Sequence, residues 1–144
     1  MKGLIQAVEV SYLAHPTEDP DRIEERVKSC LGIQAAPSVT RLEGHYGYPI
    51  LMVKYHLTGE EAHGVVRQVA EKMSPESKRN LREDSSENID EHSALYLRFD
   101  KQQIMRGKLV LGQADSVRIR IKPRLFLVKG KIEEFYMGVL GLNG

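Results

Sequence analysis

The densest run of a single chemistry in this chain is VRIRIKPR, residues 117–124. Val117, Ile119 and Ile121 alternate with Arg118, Arg120 and Lys122, and Arg124 keeps the basic phase after Pro123. Period two is the signature of a strand, with one set of side chains entering a core and the other staying wet. A solvated sheet face normally mixes signs, because like charges two residues apart repel. Four outward cations without an intervening acid therefore suit an anionic partner. Arginine predominates, and its planar fork suits phosphates and stacking. Arg98 lies in LYLRF, and Lys101, Arg106 and Lys108 flank it in sequence. These eight cations are the expected polyanion contacts. Two plainer readings stand beside this one: an ordinary solvated face, and a ladder of cross-strand ion pairs with Glu9 or Glu43.

Stacking partners are fewer. Aromatic residues make up 6% of the chain and Trp is absent. His45, Tyr46 and Tyr48 surround Gly47 in a turn and are the candidates for base stacking or polar contacts. Tyr96 and Phe99 bracket Arg98, and core packing is the expectation for them.

Other chemistry finds little footing. The histidines His15, His45, His56, His63 and His92 include no HExxH pair, so no metal site is expected. No P-loop, GxSxG or GxGxxG motif occurs, and neither a cofactor nor a reaction is expected. Cys30 is the only cysteine, which rules out an intrachain disulfide and fits a reducing, cytoplasmic setting. No apolar run reaches 18 residues, so no membrane partner is expected.

Charge is distributed unevenly. Residues 1–92 hold 11 Lys and Arg against 16 Asp and Glu, a balance of −5, whereas residues 93–131 hold 10 against 2, a balance of +8. A local positive field of this kind attracts polyanions even when the whole chain sums to +1.

The elements that must position these cations read as follows. Residues 4–14 favour a strand. A helix follows from the Asp19 N-cap and Pro20, with Ile23, Val27 and Leu31 as its buried stripe. Residues 38–44 and 50–57 form a hairpin around HYGYP. Thr58 and Glu61 make a capping box for a helix ending near Met73. A short helix runs from Ser74 to about Leu81, then a charged loop over 83–92. Residues 93–99 are a strand, and Asp100–Gly107 a short helix capped by Asp100. LVLG and SVRIRIKPRLF are further strands, and a helix over 128–141 closes the chain. The 144 residues suit a single α+β domain, a mostly antiparallel sheet with helices packed on one face.

Three blocks, HPTEDPDRI, EGHYGYPI and LYLRFDKQQIMRGKLVLGQADSVRIRIK, resemble an archaeal family described as RNA-binding or as predicted exosome subunits. The resemblance spans roughly residues 4–125 and implies a fold similar to ribosomal protein L5. It also implies RNA binding, with a link to RNA processing through exosome or ribosomal proteins. It draws attention to Glu43, Gly44, His45, Gly47, Arg98, Asp100, Lys101 and Gln102 and brings no catalytic residue. The expected function is non-catalytic RNA binding through a basic sheet face. The alternatives are a protein-interaction subunit, including a homodimer docking through the sheet, and an enzyme acting on RNA or a phosphorylated small molecule.

Overall fold

The computed structural model describes residues 4–44, 47–124 and 131–142. Five antiparallel strands form one sheet in the order β2-β3-β1-β5-β4. They are β1 (Ile5–Ala14), β2 (Ser38–Glu43), β3 (Pro49–Leu57), β4 (Leu95–Asp100) and β5 (Ser116–Pro123). The helices are α1 (Pro20–Leu31), α2 (Gly59–Lys72), α3 (Pro75–Asp84), α4 (Lys101–Met105) and α5 (Ile132–Val139).

Alternation decides which face is dry. Val8, Val10 and Tyr12 of β1, Val53, Tyr55 and Leu57 of β3, Leu95, Leu97 and Phe99 of β4, and Val117, Ile119 and Ile121 of β5 are all buried. They meet Ile23, Val27 and Leu31 of α1 and Ala62, Val65, Val66 and Val69 of α2 in one continuous core. α2 lies over β1, and α1 packs against both α2 and α4. The helices therefore cover one face, as the sequence pattern requires. Near the start of β1 the register shifts between Ile5 and Ala7, so Ile5 joins the core phase of Val8. The simple alternation expected over this stretch breaks at that bulge.

Several local expectations change. Asp19 caps α1 through the N–H groups of Asp21 and Arg22, and Asp100 caps α4 through that of Gln103. The Thr58 capping box does not form: Thr58 makes no side-chain cap bond. Glu61 accepts instead from the N–H groups of Gln34 and Ala35, tying α2 to the chain entering β2. LVLG is not a sheet strand. It forms isolated bridges, Met73 to Leu109 and Phe99 to Leu111, and so flanks β4. The charged stretch after α3 contains a 3₁₀ turn over Ser85–Asn88. The expected extension of β5 through Phe126, and the start of the last helix at 128, lie outside the described residues.

α5 is fastened by Tyr136, whose hydroxyl donates to the Ser93 carbonyl at 2.6 Å and lies 3.1 Å from that of Ile121. Tyr136→Phe leaves the Ser93 carbonyl short of its donor and should cost about 1–3 kcal/mol in urea unfolding, with m unchanged.

Burial pushes the phenols of Tyr12, Tyr55 and Tyr136 above their ordinary value, that of Tyr55 up to about 12 with Glu24 adding to the effect. Unfolded phenols release their protons near ~10, so above that pH the unfolded chain holds fewer protons than the native one. Stability is therefore fully present below ~10 and falls as pH rises from ~10 toward 12. Melting temperatures measured at pH 8, 10 and 11 should decline in that order.

Candidate nucleic-acid interface

The opposite face of the sheet carries the other phase of each strand. Antiparallel register aligns these residues into rows. One row contains Ser38 of β2, Lys54 of β3, Ser11 of β1, Arg118 of β5 and Arg98 of β4. The next contains His56, Glu9, Arg120 and Tyr96. A third begins with Ala7 opposite Lys122.

The first row is cationic without relief. Arg118 and Arg98 are direct cross-strand neighbours, an arrangement that destabilises a sheet unless an anion lies between or above them. Lys54, Arg98 and Arg118 are all exposed. Among the described residues none of the three has a carboxylate within ion-pair distance. With strands about 4.8 Å apart, Lys54 and Arg98 stand roughly 14 Å from each other across the sheet. The Arg118 guanidinium lies over the Tyr96 ring, 4.6 Å from its centroid, a contact of about 0.5–1 kcal/mol. Glu9, Ser11, Lys54, Tyr96, Arg118 and Arg120 line a shallow trough of about 230 Å³ at the centre of the face.

Arg120 behaves differently from its neighbour two residues away. It donates to Glu9 Oε1 at 2.9 Å and lies 4.0 Å from Asp90. The ladder with Glu9, one of the plainer readings of the alternation, operates at this position. Asp90 is itself held ionised: burial opposes this, but the Ala94 and His92 N–H groups, Tyr96 and Arg120 outweigh it and lower its pKa. Arg120 is thus a neutralised pivot of the face, whereas Arg118 is an open charge.

Lys101 requires the largest correction. It was expected at the surface, and it is fully buried, at 0% exposure. Its ammonium donates to the Leu13 carbonyl and to Glu18, and pairs with Asp115, each at 2.8 Å. All three donor positions of the ammonium have a partner, so no RNA phosphate can reach it. His15 approaches Asp115 at 3.6 Å on the outside of this cluster. His15, Glu18 and Asp115 have the ligand spacing of a cation site, but the lysine supplies the positive charge there.

The remaining expected residues fall into three groups. Lys122 lies on the open face, and Arg124 is exposed just beyond the end of β5. Arg106 and Lys108 are exposed but follow α4, which packs on α1 on the helical side, so they do not extend the cationic row. Tyr48 is 63% exposed at the hairpin turn, whereas His45 and Tyr46 lie outside the described residues. In that turn a Cβ on Gly44 would come within 2.6 Å of Ile50 and 2.9 Å of the Tyr48 carbonyl, and Gly47 adopts a φ of +77°. Both glycines serve the backbone. Lys54 is the member of the cationic row that sequence reasoning missed. Its signal was present in ILMVKYHL, where it shares a phase with Met52 and His56.

Comparison with known proteins places this geometry in context. Residues 7–123 match the model of a family described as RNA binding. The chain is 28% identical over 138 residues to the RNA-binding protein PAB1135 of Pyrococcus abyssi, covering 90% of each. The solved structure of AF2318 from Archaeglobus fulgidus superposes with a TM-score of 0.79 at 24% identity, covering 94% of this chain and 99% of that one. That of SSO0741 from Sulfolobus solfataricus gives 0.74 at 25% identity, covering 94% and 97%. Both carry the family label DUF54.

Lys101→Met should test the corrected role. It leaves two carboxylates facing one another without their cation. The cost should be about 2–3 kcal/mol, below that of a fully enclosed pair because Glu18 and Asp115 keep some contact with water. Urea unfolding reports the loss, and RNA affinity per folded molecule should stay unchanged.

Proposed function

This chain belongs to the family described as RNA binding, and on that footing we propose that its open sheet face holds an RNA backbone, with Lys54, Arg118 and Arg98 as the principal phosphate contacts. The observation that carries the proposal is the row itself: three exposed cations in register, two of them direct neighbours, with no counter-ion among the described residues. An anionic backbone relieves their repulsion, and contacts of this kind position RNA without reading its sequence. Lys122 and Arg124 continue the positive surface at one end. The family is described by binding and not by a reaction, in agreement with the reading of the chain as non-catalytic. The link to exosome or ribosomal proteins that the resemblance implies is part of the same proposal. Capture of the native protein with its RNA and bound proteins would test it, and recovery of neither class of protein would remove it.

A second reading has one observation in its favour. β2 is an edge strand whose six residues are all exposed, and Val39, Leu42 and Met52 expose 53%, 38% and 37% of their surface nearby. Such an edge can pair with a second copy, although Arg41 and Glu43 blunt it. Light scattering that finds an RNA-independent dimer would favour this reading.

The RNA assignment makes a quantitative demand. Affinity for a single-stranded oligonucleotide should fall with salt, and replacing Lys54, Arg98 and Arg118 together by Ser should flatten the log–log slope by about 2, from ~0.7 per contact. Arg120→Ser should change that slope much less and should lower stability, because Glu9 and Asp90 lose their cation. An unchanged slope in the triple variant would sink the assignment of this face.

A further inference from the structure

β4 is the other edge of the sheet, and its outer side is only partly closed. At one end Asp90 N–H donates to the Ala94 carbonyl. At the other, Asp100 N–H donates to Val110 and Gly112 N–H to Arg98. Between these two closures lies a cleft of about 580 Å³, walled by α3, the 3₁₀ turn, the middle of β4 and residues 111–113. Its volume is that of a small-molecule site. The alternation that aims the Arg98 carbonyl outward also aims the Arg98 N–H and the Tyr96 carbonyl outward, toward this cleft.

The cleft is continuous with the phosphate surface. Tyr96 lines both it and the central trough, and Arg98 lines both it and a second hollow that includes Arg118. Its far wall is opposite in sign. Arg98 is the one cation of the described lining; Asp84, Glu87 and Asp90 contribute carboxylates, that of Asp90 already engaged by the His92 and Ala94 N–H groups and by Arg120, and Asn80, Asn88 and Gln113 contribute amides. The Asp84 and Glu87 carboxylates, which are exposed, repel a phosphate. They welcome a neutral ring that offers N–H donors. Among the bases, guanine presents two adjacent donors, N1–H and the N2 amino group, which one carboxylate accepts together, while its O6 remains free for an amide or backbone N–H.

Resting on the RNA-binding reading, we propose that this cleft is a base-reading site that takes a guanine turned out of a single strand lying on the sheet face, with Asp84 and Glu87 as the acceptors for its donor edge. RNA is read in this manner, on unstacked bases whose edges become accessible. Cations on the face and carboxylates in the cleft then divide the labour: the first hold the strand, the second select a residue within it.

The test compares two nine-nucleotide RNAs, U4GU4 and U9, by fluorescence anisotropy at fixed salt. The native chain should bind U4GU4 on the order of tenfold more tightly. In Asp84→Asn/Glu87→Gln the preference should vanish while affinity for U9 does not fall. Side-chain amide resonances of Asn80, Asn88 and Gln113 should shift on adding U4GU4 and not U9. Equal affinities for the two RNAs in the native chain, or a preference that survives in the variant, overturns the base-reading site and leaves the phosphate surface standing. Failure to bind either RNA overturns both.

Discussion

A sheet covered by helices on one face only must solve two problems with one backbone, and the period of two is what makes both solutions compatible. Every second residue of β1, β3, β4 and β5 is committed to the core with α1 and α2. The intervening residues are thereby released from packing and left to electrostatics. Cross-strand register then decides which of them become neighbours. Lys54, Arg118 and Arg98 are 64 and 20 residues apart along the chain and stand side by side only because β3, β1, β5 and β4 pair as they do. The cationic surface is thus a product of sheet order as much as of composition.

The same logic separates what the sequence discloses from what it hides. Alternation in VRIRIKPR places Val117, Ile119 and Ile121 inside and their neighbours outside, and the structure has that arrangement. Asp100 as a helix cap and Gly44 with Gly47 as turn residues are equally local and equally readable. Partnership across strands is not local. The alternation offers Glu9 or Glu43 as cross-strand partners, but only the register puts Glu9, 111 residues away, opposite Arg120, and nothing near Lys101 reveals Leu13 and Glu18. Two cations that look alike in a charge count are therefore structural, while Lys54, in a less basic stretch, joins the surface.

Lys101 is a charge that serves the fold from within a basic stretch of sequence. Its ammonium gathers the end of β1, the loop into α1 and the segment before β5. Those are the segments flanking the open face. A buried cation with every hydrogen matched resists rearrangement, since any displacement strands at least one charge. The row of exposed cations is consequently mounted on a stiff frame.

The hairpin at the far side of the sheet stands in contrast. β2 follows the pattern of a strand, yet no residue in it is buried, so the sheet extends beyond its helical cover. What retains β2 is its ladder with β3 and, just upstream, the Glu61 carboxylate that accepts from the Gln34 and Ala35 N–H groups. A segment held by backbone bonds without side-chain burial opens at a free energy well below that of the whole molecule. Its amides should exchange with solvent through local peeling while the other four strands remain closed. The molecule therefore combines a rigid plate with a compliant margin at β2.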